Sequence, residues 1–356
     1  MARIALICDS HAGHRDDHPV LLDCMRKSFK DFFQVICNDG VTHVIHLGDV
    51  FHRRKYVNYE TARRLREDFL EPLARLPIEV HIIGGNHDEY YKNSHCTNAL
   101  DELITGRYPN IKTYLRPEVI EIDGLNIQLM PWISDSNYEE SLDAIKQPKA
   151  DILMGHLEIE GFQMEKGLVS HTGLTANIFG GFHSVYSGHF HHPSMRDNIR
   201  FLGAFAEFIW SDFGDPRGFH IFDPKDRSLK FHKNTNSIFK MIKYDDNDPE
   251  IADRVNGLDY SRYKDCYVKI VCLNKKNPFY FNMLLDKVQE VGPIDVSIIE
   301  GHNITENGQD DTVDQAEDTP TILNKYLDGL TLPVDTNKMK HFMNEIYQES
   351  VSIGGM

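Results

Sequence analysis

The sequence predicts an α/β fold, on three observations. Short apolar runs alternate with longer segments of helical periodicity through the first half of the chain. Helical patterns become scarce after about residue 150, and the alternation restarts at Tyr267. In chain order, residues 4–8 read as a buried strand. Leu22, Met25, Phe29, Phe32 and Ile36 recur at three- and four-residue spacing, the apolar stripe of one helix, with Gly40 just beyond its end. Residues 43–47 form the next strand. Ala62, Leu65, Phe69 and Leu76 repeat the helical spacing, and Pro72, which lacks an amide hydrogen, should end or kink that helix near its last turn. Residues 80–83 are a third strand, followed by strand candidates at 119–122, 127–130, 152–154, 185–187, 199–202, 219–222 and 238–242. One core is expected to about residue 250, with functional loops at strand ends.

Residues 267–273, 278–291 and 295–299 read as strand, helix opened by Pro278, and strand, a compact βαβ-like second domain. Residues 303–318 are polar, acidic and nearly free of large apolar groups. Such a stretch cannot offset its ordering entropy and reads as a flexible linker. Beyond it, Ile322, Leu323, Tyr326, Leu327 and Leu330 lie on one helical stripe and Met339, Phe342, Met343 and Ile346 on another, separated by Gly329 and Pro333. The expected division is 1–255, 256–302, linker 303–318 and helical tail 319–356.

A length of 356 residues suits about two domains and an appendage, and 41% hydrophobic residues suffice for a sizeable core. The chain lacks an apolar run long enough to cross a membrane and opens without a leader pattern, so a cytoplasmic protein is expected, in the host cytoplasm if a phage encodes it. Its six cysteines, at positions 8, 24, 37, 96, 266 and 272, form no CxxC pair and point to reduced thiols rather than a disulfide framework. The net charge of −16 argues against coating nucleic acid by bulk positive charge. It does not argue against a nuclease, because the stretch from Glu306 to Asp335 holds eight acidic residues and one lysine, −7 of that total.

Nineteen histidines, several beside glycine or aspartate, raise the question of a metal. Five short segments carry suitable donors, each just after a predicted strand: Asp9-Ser10-His11, Gly48-Asp49, Gly85-Asn86-His87-Asp88, Gly155-His156 and Gly188-His189-Phe190-His191. A strand end fixes the backbone, glycine permits a sharp exit, and the next residue projects its donor into a shared crevice. Each piece alone is weak, since the chain has four Gly-His dipeptides, ending at His14, His156, His189 and His302, and two Gly-Asp dipeptides, ending at Asp49 and Asp215. The ordered series is specific. Its seven donors Asp9, His11, Asp49, Asn86, His156, His189 and His191 are too many for one ion, whereas a carboxylate can bridge two cations ~3.5–4 Å apart, the arrangement that serves in-line phosphoryl displacement.

This series resembles that of the calcineurin-like metallophosphoesterases. The extended forms Asp9-Ser-His11, Gly48-Asp-Val-Phe-His52 and Gly85-Asn-His-Asp88 are similar to the SbcD-type DNA repair nucleases, and most of all to the nuclease subunits of tailed-phage recombination complexes. The likeness covers residues 1 to about 223 and includes Pro131-Trp132 and Asp215-Pro-Arg-Gly-Phe219. It departs at Gly203-Ala-Phe-Ala-Glu207, where relatives tend to carry a Gly-Ser/Thr-Pro-aromatic run, which bears on DNA-loop geometry.

The resemblance implies a four-layer α-β-β-α sandwich with a small capping domain and a helical tail. It implies one cation held by Asp9, His11, Asp49 and His191, and a second by Asp49, Asn86, His156 and His189. His87 would be the acid, Asp88 would orient its ring, and His52 would help place the phosphate. Mixed imidazole and carboxylate ligation suits manganese or iron over calcium, and the resemblance favours two Mn(II), with iron or magnesium as alternatives. Metal loading is expected to fall as pH drops through about 6, because the ligand histidines must be neutral.

The implied activity is a nuclease acting on duplex ends as an exonuclease and on single strands as an endonuclease. Arg53, Arg54 and Lys55 after the Asp49 loop, and Arg63, Arg64 and Arg66 on the next helix, could form a cationic rim for DNA, joined by Tyr90, Tyr91 and Lys92 after the GNHD turn. In the family the tail docks on the coiled-coil base of an SbcC-like ABC-type ATPase, and a homodimer is also implied. Two alternatives stay open: a phosphomonoesterase or cyclic-nucleotide phosphodiesterase on the same core, and a non-catalytic scaffold.

Overall fold

The computed structural model describes residues 2–300, 324, 327 and 335–353, and the chain divides into two compact units, Met1–Asn236 and Ser237–Met356. The first unit is built on two six-stranded sheets. One runs in the order Leu229–Lys233, Gly218–Phe222, Ile4–Ile7, His43–His46, Glu79–Ile83 and Ile111–Tyr114; its last four strands are parallel neighbours. The other runs Ser194–Arg196, Ile199–Phe201, Ser184–Gly188, Ile152–His156, Leu125–Met130 and Glu118–Ile122, with its four central strands parallel.

Period-two alternation assigns the two faces of each strand to different layers. Ile4, Leu6 and Ile45 meet Ile127, Leu129, Ile152 and Met154 between the sheets. Ala5, Ile7, Val44, Val80 and Ile82 face outward instead, where they pack with Phe29, Phe32 and Ile36 of the helix Pro19–Asn38 and with Phe69. On the far side, Leu153, Val185 and Phe201 of the second sheet are covered by Ile145 of the helix Tyr138–Lys146 and by Phe179 and Phe182. The layers are therefore helix, sheet, sheet, helix. Burial of each large apolar side chain contributes roughly 1.5–3 kcal/mol, and strands apolar on both faces explain why the central ones read as continuous runs in sequence.

The sequence reading fails where strands are short or polar. Ile111–Tyr114, Leu229–Lys233 and Ser194–Arg196 are not marked by the sequence pattern; each sits at a sheet edge, paired on one side only among the described residues, and carries little apolar signal. The helix around Pro72 also behaves differently from expectation. It runs as Tyr59–Leu65, a π-helical segment Arg66–Leu70 and Glu71–Arg75, so the disturbance precedes the proline and the helix continues past it. The Glu71 amide bonds the Arg66 carbonyl, the wider turn absorbing the hydrogen bond that Pro72 cannot make.

The boundary between units falls at Asn236 rather than at residue 255. Strand Phe239–Asp245, expected to extend the first core, pairs in parallel with Tyr267–Asn274, which in turn pairs with Asp295–Glu300. Helix Pro278–Glu290 connects the last two strands, its first turn capped by Asn277, and Phe281, Leu284 and Val288 pack on Tyr244 and Ile270. The anticipated strand-helix-strand is thus present with a third strand added. The linker at 303–318 and most of the first tail stripe lie outside the described residues; of that stripe, Leu327 is helical and buried. The second stripe lies on helix Thr336–Ile353. Among the described residues no helix is long and apolar enough to cross a membrane.

Candidate metal centre

All five donor segments leave the C-terminal ends of central strands in the first unit. Ile4–Ile7 and His43–His46 are parallel neighbours, and their exit loops stay paired: the Asp9 amide donates to the Gly48 carbonyl (3.2 Å), His11 to Asp49 (3.0 Å) and Ala12 to Val50 (2.8 Å). The exits are strained. Asp9, His11, Asp49 and His189 all hold positive φ, at 49°, 41°, 53° and 83°. The left-handed conformation costs a non-glycine residue ~1–2 kcal/mol, and surrounding packing must hold it in place.

The seven expected donors converge. His11 Nε2 lies 3.0 Å from His191 Nε2 and 3.7 Å from Asp49 Oδ2. His156 Nε2 lies 3.4 Å from the same Asp49 oxygen and 2.9 Å from Asn86 Oδ1. Donor atoms of Asp9, His11 and His191 lie within 4.8 Å of one another, as do those of Asp49, His156 and His189. Asp49 Oδ2 thus stands between two donor clusters, while its Oδ1 is occupied by the His87 amide at 2.8 Å.

The donor chemistry fits divalent cations. His156 Nδ1 donates to the Leu47 carbonyl at 2.8 Å, which aims Nε2 at the oxygens of Asp49 and Asn86. Asp9 accepts the His189 amide on both carboxylate oxygens, at 3.0 and 3.2 Å. Burial pushes the pKa of His11 and His189 well below the usual value and that of His191 to about 4, so these rings are neutral. Burial acts against protonation of His156 as well, but Asp49 and Asp9 outweigh it and lift the ring to about 9. Burial would also raise Asp49, yet the charges of His156 and His87 hold its carboxyl well below the ordinary range.

Two expectations about neighbouring groups are corrected. Asp88 does not orient the His87 ring. Its buried carboxylate accepts three backbone N–H groups, from Val50 (3.3 Å), Phe51 (2.9 Å) and Gly85 (2.9 Å), and so fastens the Asp49 loop to the Gly85 turn. The His87 ring is aimed instead by the His52 carbonyl, which accepts from Nδ1 at 2.5 Å. The His52 ring stacks on His87 with centroids 5.5 Å apart, close to His11 as well. Secondly, Arg53 is not free for DNA: its guanidinium is paired with Asp16 and Asp17. Arg63, Arg64 and Arg66 are likewise paired with Glu60, Glu67 and Glu71 along their helix, and Arg64 also with Asp23 of the helix Pro19–Asn38. Arg54 is partly buried near His87, whereas Lys55, Tyr90, Tyr91 and Lys92 are exposed, the last three on or beside the hairpin Glu89–Tyr91 and Ser94–Asn98.

The sequence reading missed three contributors. His14, grouped there with repeated Gly-His pairs, places its ring 4.3 Å from His52, between it and Phe208. Arg217, buried, pairs with Asp212 at 2.6 Å and donates to the His191 carbonyl, holding that ligand loop in place. Trp132 packs 4.9 Å from the His189 ring. An Asp-Pro-Arg-Gly run and a Pro-Trp pair mark two of these in sequence; for His14 no pattern separates it from the other Gly-His pairs.

The sequence profile of the calcineurin-like phosphoesterases matches residues 2–193. Exonuclease subunit 1 of Enterobacteria phage T4 is 29% identical over 355 residues, 98% of this chain and 99% of that protein. The SbcD component of the SbcCD nuclease of Staphylococcus epidermidis is 23% identical over 389 residues, 97% of this chain and 98% of the other, and its counterpart in Staphylococcus saprophyticus is 22% identical over 260 residues, 64% and 67%.

Packing makes Gly85 indispensable. A Cβ there would stand 2.2 Å from both the amide nitrogen and Oδ1 of Asp49, so Gly85→Ala should weaken metal uptake roughly tenfold or more, measured by metal analysis after dialysis. Cation binding also requires a neutral His156, which with its pKa near 9 carries a proton at neutral pH that must leave. Apparent affinity should therefore climb with pH up to about 9, roughly tenfold per unit for one released proton. This window lies above the one the sequence suggests, and a titration series that stayed flat over it would contradict the assignment.

Proposed function

The chain belongs to the calcineurin-like phosphoesterase family, and on that premise we propose that it is a metal-dependent DNA nuclease, a phosphodiesterase that works as the nuclease subunit of a larger recombination or repair complex. One observation carries the reading: seven donors from five strand ends meet around a single carboxylate, Asp49, with one donor cluster on each side. Relatives named as nuclease and exonuclease subunits align over nearly the whole chain and so support DNA as the substrate.

In this reading Asp9, His11, Asp49 and His191 hold one divalent cation and Asp49, Asn86, His156 and His189 the other, manganese being the preferred ion. When bound, the pair supplies a nucleophile near neutral pH and neutralises charge that builds on the phosphate. His87 acts as the acid. Its Nδ1 is committed to the His52 carbonyl, which leaves Nε2 to carry a proton to the departing sugar oxygen. Burial lowers the His87 pKa, and the charge of an incoming phosphodiester works in the opposite direction, so substrate itself readies the acid. Arg54 and the exposed Lys55, Tyr90 and Lys92 are proposed DNA contacts. Duplex ends are cut exonucleolytically and single strands endonucleolytically.

An acidic chain whose arginines are largely paired needs help to gather DNA. We place that help in an ABC-type coiled-coil ATPase docked on the tail, where Phe342 and Ile346 of helix Thr336–Ile353 are 56% and 41% exposed.

Asp49→Ala should remove both cations and all cleavage, while His87→Ala should keep the cations and lose roughly 10²–10⁴-fold in rate. Metal analysis and an assay on end-labelled duplex and single-stranded DNA with manganese check both. Activity on bis-p-nitrophenyl phosphate with none on DNA would move the substrate to a small phosphate ester. Truncation at residue 302 should spare hydrolysis of the small ester and abolish co-purification of the ATPase; co-purification that persists places the interface elsewhere.

A further inference from the structure

A second group of ligand-type side chains lies at the opposite ends of the strands, away from the Asp49 centre. His43 and Glu79 begin the neighbouring parallel strands His43–His46 and Glu79–Ile83, with His43 opposite Glu79 and Ile45 opposite His81. Side-chain alternation puts His43, Glu79 and His81 on one face, and one donor atom of each lies within 4.8 Å of the other two.

Hydrogen bonds define which nitrogen of each ring is available. His43 Nδ1 is engaged by Thr42 Oγ1 at 2.9 Å, which leaves Nε2 to face a ligand. His81 Nδ1 is 2.8 Å from the Tyr114 hydroxyl. Among the described residues its Nε2 has no hydrogen-bond partner, and the side chain is only 3% exposed. A buried, unpartnered nitrogen is costly unless something binds it. The exposed Glu79 carboxylate stands beside it and has Lys112 Nζ 3.5 Å from one oxygen, leaving the other available.

We propose that His43, Glu79 and His81 form a second metal site, one that takes zinc and ties together the starts of two central strands. Two imidazoles and one carboxylate, with an open side toward solvent for water, are a donor set that zinc favours. Thr42 and Tyr114 supply the outer hydrogen bonds that orient metal-binding imidazoles. None of these residues takes part in the catalytic cluster, so loss of the site leaves hydrolysis intact.

The test uses the full-length protein, loaded with manganese and dialysed against zinc, beside His43→Gln and Glu79→Gln. Zinc counted by mass spectrometry should be one ion per chain higher in the wild type than in either variant, with hydrolysis of bis-p-nitrophenyl phosphate unchanged in all three. Any zinc that exchanges into the catalytic centre is common to the three proteins and cancels in the difference. Equal zinc content in wild type and both variants overturns the proposal. Anomalous scattering at the zinc edge from wild-type crystals gives a readout independent of the variants: a peak between His43 Nε2 and His81 Nε2 supports the site, and its absence overturns it.

Discussion

The Asp49 carboxylate is the constraint around which the first unit is arranged. One oxygen is spent on the His87 amide and the other faces nitrogens of both His11 and His156. Its backbone is held left-handed, and its close approach to Gly85 leaves no room for even a methyl group. Such a conformation survives only because the loop is pinned from several sides: by ladder bonds to the Asp9–Ala12 segment, and by the Asp88 carboxylate across the crevice. The two apolar layers behind the strands supply the rigidity, and the strained exits convert it into donor geometry.

Electrostatics divides the labour. Within the centre, low polarity keeps three histidines neutral while a fourth is charged by its carboxylate neighbours. Outside it, the helix that could have presented a basic face has paired its arginines with its own glutamates. Exposed ion pairs of this kind add little stability, and they cancel much of the field that would draw in a polyanion. The donor side chains converge within this chain, whereas the arginines of its neighbouring helix are held in ion pairs.

Central strands and donors were legible in sequence for the same reason. A strand buried on both faces is rich in apolar residues and ends where a ligand turns away from it, so Ile4–Ile7, His43–His46, Ile152–His156 and Ser184–Gly188 mark both themselves and Asp9, Asp49, His156 and His189. Edge strands such as Leu229–Lys233 carry no such signature. Pairing choices were invisible as well: nothing in residues 238–242 says that the strand joins Tyr267–Asn274 rather than the sandwich, and that choice moved the domain boundary. Roles that depend on where a carboxylate points could not be read either. Asp88 follows His87 in sequence, yet it bonds backbone amides and leaves the imidazole to a carbonyl thirty-five positions away.

The Asp88 tie also limits how such an enzyme can be regulated. Three amides from two loops converge on one buried carboxyl group, so the two walls of the crevice are fastened together, and neither can swing aside without leaving buried polar groups unpaired. A hinge placed at these loops would have to break all three bonds together.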